Sequence, residues 1–150
     1  MKHTITMTLL ALGLAAGAYS QQASDSRSRA LHITKECNSQ TGTYPGSYCT
    51  IQTSNIAAIT KDSMVFYDQV GILEMGVLDS NVFLKVDANT WAVGRCTAPF
   101  DSTPGLCTFS DGVGKLKGFH ARIVVTGDST DPMLYHWDGT YSFGEPDDDR

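Results

Sequence analysis

The chain has 150 residues, 11 of them basic and 16 acidic, for a net charge of -5, and 41% of it is hydrophobic. An acidic balance argues against nucleic acid or an anionic membrane surface as a partner. A chain of this length buries about two-thirds of its unfolded surface, enough for one core and not for two domains.

Residues 1 to 20 carry one basic residue, Lys2, then the apolar run Leu9 to Ala18 and the small-residue ending Ala18-Tyr19-Ser20. That pattern is expected of a secretory signal peptide, and the apolar run is too short to span a bilayer. Its removal would take the net charge from -5 to -6, because the segment holds Lys2 and no acid. No later segment approaches the roughly 18 apolar residues of a membrane helix. The mature protein is therefore expected to be secreted or periplasmic, without membrane insertion. Residues 21 to 30 are small and polar and read as a flexible N-terminal segment, and residues 145 to 150 read as an acidic tail. The folded domain is expected over residues 31 to 144.

Within it, β-rich runs alternate with turn residues: Tyr48 to Asn55, Ser63 to Gln69, Asn81 to Asp87, Trp91 to Ala98, Gly105 to Ser110, Gly118 to Thr126 and Leu134 to Phe143, with Ile72 to Leu78 as an eighth candidate. Short links of Gly, Pro, Asp, Asn and Ser join them, and no long stretch has helical period. The expectation is an all-β sandwich or barrel with mostly neighbouring antiparallel strands.

Four cysteines, Cys37, Cys49, Cys96 and Cys107, all lie in the exported part, and an even count in an oxidising compartment favours two disulfides. Three pairings are open. The local one, Cys37 with Cys49 and Cys96 with Cys107, fits the strands best, since a hairpin turning near Asp101 and Ser102 sets Cys96 opposite Cys107. No Cys-x-x-Cys spacing or close histidine pair suggests a metal.

Side chains alternate along a strand, so the last two strands can be read face by face. Phe119, Ala121, Ile123 and Val125 share a face with Tyr135, Trp137, Gly139, Tyr141 and Phe143, while His120, Arg122, Val124 and Thr126 share the other with His136, Asp138 and Thr140. A turn centred near Thr130 would set Arg122 opposite Asp138 and Val124 opposite His136. One face is aromatic and the other polar; the polar one is expected outside.

The segment Asp111-Gly-Val-Gly-Lys-Leu-Lys-Gly-Phe-His-Ala121 and the ending Trp137-Asp-Gly-Thr-Tyr-Ser-Phe143 resemble the glycine segment and closing strand of the allene oxide cyclase and dirigent barrel superfamily, in the form of its bacterial exported members. The resemblance covers about 35 residues of the last third. It implies a single closed antiparallel eight-stranded barrel with an apolar lumen, in which Gly112 and Gly114 permit positive φ and Gly118 bends a strand. Plant members either cyclise an unsaturated fatty-acid epoxide or orient phenoxy radicals, but neither set of functional residues carries over by motif.

An inward aromatic face would make Tyr67, Phe119, Tyr135, Trp137 and Tyr141 the candidates for contact with a small apolar or aromatic ligand, since an eight-stranded barrel either fills with side chains or holds one small molecule. Candidate acid or base groups are Glu74, a lone acid in an apolar run, and His120 and His136. The leading expectation is a lumen-binding barrel, the alternatives a cofactor-free isomerase or cyclase and a protein-interaction module. No cofactor is implied, and monomer and homo-oligomer stay open.

Overall fold

The computed structural model describes residues 27–38, 46–100 and 104–144. The expected signal peptide, the acidic tail and the turn at Asp101 and Ser102 lie outside them.

Eight strands form one closed antiparallel barrel in sequence order: β1 (Arg29–Cys37), β2 (Tyr48–Ser54), β3 (Met64–Tyr67), β4 (Val77–Lys85), β5 (Trp91–Pro99), β6 (Gly105–Val113), β7 (Phe119–Gly127) and β8 (Leu134–Phe143). Closure comes from β1, which pairs with both β2 and β8 and leaves no unpaired edge. The all-β eight-stranded expectation holds, but its eighth strand is β1. It begins at Arg29, inside the stretch expected to be a solvated end. The apolar run Ile72 to Leu78 instead supplies a 3-10 turn at Leu73–Met75 and the start of β4, four residues earlier than expected.

The two expected disulfides are both present, Cys37 with Cys49 and Cys96 with Cys107. Each joins directly opposed residues, Cys37 to Cys49 across β1 and β2 and Cys96 to Cys107 across β5 and β6.

The face assignment of β7 and β8 holds, with Phe119, Ile123 and Trp137 buried, but their register is two residues from the expected one. Arg122 opposes Thr140, Val124 opposes Asp138 and Thr126 opposes His136. The reason is the turn, which is centred on Asp131, one residue later than Thr130: the Asp128 N–H donates to the Leu134 carbonyl, and Asp128 Oδ1 accepts hydrogen bonds from the backbone N–H of Thr130 and Asp131. Between β6 and β7, Gly114 and Gly118 carry the positive φ values, +66° and +69°. Gly112 lies in β6 without one and serves by its small size, since a Cβ there would run into the backbone of Leu116 and Trp91.

The barrel ends differ. Where β2, β4, β6 and β8 finish, Ile56 and Ile59 of the β2–β3 connection and Leu116 are buried, and Phe109, Phe119, Tyr141 and Phe143 form a chain of ring contacts at 5.5 to 6.2 Å. Where β1, β3, β5 and β7 finish stand the Cys37–Cys49 disulfide and the exposed apolar residues Val70, Ile72, Met75 and Phe100. One end is plugged by side chains, and the other is edged by disulfide and loops.

Candidate functional site

Along β1 the alternation Leu31, Ile33, Lys35, Cys37 faces inward, with His32, Thr34 and Glu36 turned outward. A pairing irregularity follows Thr34: Thr34 opposes Thr53, Lys35 opposes Ile51, and Gln52 is the extra residue of β2. The alternation of β1 thus puts a lysine inside the barrel, 1% exposed, with its neighbours Ile33 and Ile51 equally enclosed.

The Lys35 amine sits among aromatic groups. Its Nζ donates to the Tyr67 hydroxyl at 2.7 Å and lies 5.2, 5.0 and 5.1 Å from the ring centres of Tyr67, Tyr135 and Trp137. It also approaches the disulfide, 3.4 Å from Cys49 Sγ and 3.9 Å from Cys37 Sγ. Among the described residues no carboxylate pairs with it. Ring faces and one hydroxyl replace only part of the hydration that an ammonium loses on burial, so burial pulls the Lys35 pKa from 10.5 down to about 7. Tyr67 moves the opposite way, because burial first and the neighbouring Tyr135 second disfavour its phenolate. Near neutral pH a large fraction of the amine therefore carries a lone pair, beside a phenol that keeps its proton.

Trp137 adds a third polar group. It is fully buried, and its indole Nε1 has no hydrogen-bond partner among the described residues. A buried donor left unmatched is uncommon in a folded protein and costs on the order of 1–3 kcal/mol.

The sequence-based candidates divide. Tyr67, Tyr135 and Trp137 gather around Lys35, whereas Phe119 and Tyr141 belong to the aromatic chain toward the plugged end. Glu74 is exposed on the 3-10 turn. His120 and His136 take outward positions on β7 and β8, and His136 Nε2 lies 3.0 Å from Asp128 Oδ2. Asp138 meets His32 of β1 at 2.8 Å. These histidines and acids are not brought to the lumen, and the described residues hold no cluster of three or more His, Cys, Asp or Glu that could bind a metal. Lys35 was missed, although the period-two alternation of β1 is the signal that places it inside.

A groove of about 750 Å³ also runs along the outer face of β3 to β6, lined by Phe66, Phe83, Val93, Arg95, Thr108 and Ser110 among others. Arg95 is already held by Asp79 at 2.6 Å, and both are solvated. The groove offers surface; the convergent buried polar groups are in the lumen.

By fold and interior the chain is a closed eight-stranded antiparallel barrel with a buried lysine at the disulfide-bearing end of its lumen. No helix among the described residues is long and apolar enough to cross a membrane, and the two disulfides are compatible with an oxidising extracellular or periplasmic setting. Comparison of the chain with family models, curated proteins and solved structures returns no match.

Proposed function

We propose that this is an exported barrel that binds a small apolar or aromatic molecule in the lumen, beside Lys35, Tyr67, Tyr135 and Trp137. The observation that carries this reading is the convergence of three polar groups, the Lys35 amine, the Tyr67 hydroxyl and the unmatched Trp137 Nε1, inside a mostly apolar interior rich in aromatic rings. Small-molecule sites have that make-up: mostly apolar walls with a few polar groups that fix orientation. A ligand would take part of its room from the four-carbon stem of Lys35, a flexible enclosed side chain. The strand count agrees with membership of the allene oxide cyclase and dirigent barrels, and that family assignment is part of the proposal.

A second reading, a cofactor-free isomerase or cyclase, has the Lys35–Tyr67 pair in its favour: a neutral amine and a protonated phenol 2.7 Å apart can take and give protons to one bound molecule.

The test is tryptophan emission in a Trp91→Phe variant, which leaves Trp137 as the only tryptophan, titrated with 2-naphthol. Saturable quenching at near one-to-one stoichiometry is expected, together with a small molecule released on denaturing the protein from its own host in native mass spectrometry. Unchanged Trp137 emission and an empty protein would move the function to the outer face.

A further inference from the structure

We propose that the molecule taken by this lumen is a small aromatic or unsaturated aldehyde or ketone, held by Lys35 as a covalent imine, an inference that rests on the lumen-binding reading above. Buried lysines are commonly stabilised by a carboxylate, and an amine meant to remain an ammonium would be expected to have one. Lys35 has none among the described residues. Its neighbours are three ring faces, a hydroxyl and two sulfurs.

Ring faces and the hydroxyl favour the ammonium, but burial without a carboxylate outweighs them and holds the pKa at about 7, so a large fraction carries a lone pair at neutral pH. A ligand whose polar group is a carboxylate would instead restore the ammonium, and a purely apolar ligand would make no use of the lone pair. A carbonyl compound does: its carbon accepts the amine, its oxygen can accept a hydrogen bond from a neighbouring donor until it leaves as water, and its apolar body lies against the aromatic rings.

The step balances without a co-reactant. The Lys35 nitrogen forms a bond to the carbonyl carbon while the π pair moves to oxygen, which takes a proton from the Tyr67 hydroxyl; Tyr67 regains a proton from the nitrogen, giving a carbinolamine. The C–O bond then breaks, the hydroxyl leaves as water with the second nitrogen proton relayed through Tyr67, and the imine remains. Tyr67 is suited to this relay because its hydroxyl is already 2.7 Å from Nζ and burial keeps it protonated.

The experiment uses the full disulfide-bonded protein, 2-naphthaldehyde as the carbonyl probe, 2-naphthol as its non-carbonyl counterpart, and cyanoborohydride to reduce any imine to a stable amine, with labelled residues located by peptide mass spectrometry. Lys35 is expected to gain the aldehyde mass less one oxygen at least about tenfold faster than the exposed Lys61, Lys85, Lys115 and Lys117. Tyr67→Phe is expected to slow labelling of Lys35 about tenfold. Quenching by 2-naphthol with label only on the exposed lysines would overturn the imine and leave lumen binding standing. No quenching and no Lys35 label would overturn both.

Discussion

Lys35 Nζ and the Tyr67 hydroxyl are 2.7 Å apart inside a closed barrel, joined across the two strands β1 and β3 that flank β2. The contact unites two groups whose proton affinities burial pushes apart: the amine releases its proton early, and the phenol keeps it late. A pair so arranged should be visible both in stability and in its dependence on pH.

The first consequence concerns linkage. Lys35 has a folded pKa of about 7 against an unfolded value of 10.5. Above the unfolded value both states are neutral and burial carries no charge penalty. As pH falls toward 7 the unfolded chain binds a proton that the folded one refuses, so stability falls; below about 7 both bind it and the difference is constant. Urea unfolding of the wild type and of Lys35→Met at about pH 9.5 and about pH 7 should therefore show the variant gaining on the wild type at the lower pH, by an amount on the order of 3 kcal/mol. A gap that does not change with pH would place the amine in water.

Tyr67→Phe removes the oxygen partner of Lys35 and keeps the ring. In the wild-type background it should cost about 1–3 kcal/mol, because the amine loses its hydroxyl in a site where water does not substitute. In the Lys35→Met background the cost should drop to roughly 1 kcal/mol or less, and the difference between the two is the coupling that a double-mutant cycle reads by denaturant unfolding. Equal costs in both backgrounds would make the contact incidental.

Much of this barrel is legible in the sequence because its inward positions are apolar. Phe119, Ala121 and Ile123 against Trp137 and Tyr141 announce an inner face, and the hairpin geometry of Cys96 and Cys107 follows from turn residues and spacing alone. Two features are obscured by chemistry at single positions. β1 is hidden because Lys35 sits where the alternation after Leu31 and Ile33 calls for an apolar side chain, so the residue that defines the site also disguises the strand that carries it. The β7–β8 register is hidden because it depends on which backbone groups Asp128 caps, a choice that the string of turn residues Gly127 to Pro132 leaves open. That lysine is the best-buried charge-bearing group among the described residues.

The disulfides give a comparison between the two faces of the same device. Cys96–Cys107 and Cys37–Cys49 have sequence separations of 11 and 12, so loop closure alone assigns each about 3 kcal/mol. Replacing both cysteines of a pair by alanine should thus lower stability similarly for the two bonds. Only the Cys37→Ala, Cys49→Ala variant should also alter Lys35, because those sulfurs lie within 3.9 Å of its amine and their loss admits water. Repeating the pH series on both variants separates the effects: the pH-dependent gap to the matching Lys35→Met form should shrink without Cys37–Cys49 and persist without Cys96–Cys107.

Asp128 tests the turn that fixes the closing register. Its Oδ1 accepts from the backbone N–H of Thr130 and Asp131 and from the Thr130 hydroxyl, and its Oδ2 lies 3.0 Å from His136 Nε2. The hydroxyl of Thr130, then His136, then the two backbone donors hold its carboxyl well below the usual carboxylate range. A depressed folded pKa means stabilisation that is fully present above the unfolded carboxylate pKa and is lost as pH falls through the folded one. Asp128→Ala should lower the melting temperature at neutral pH, and the difference from wild type should narrow as the solution is made strongly acidic. Since the carboxylate lies at the surface, added salt should weaken its link to His136 while leaving the short backbone hydrogen bonds largely intact. The melting difference at neutral pH should therefore survive about 1 M salt in the main; its disappearance there would mean that the His136 pair, rather than the cap on Thr130 and Asp131, sets the β7–β8 register.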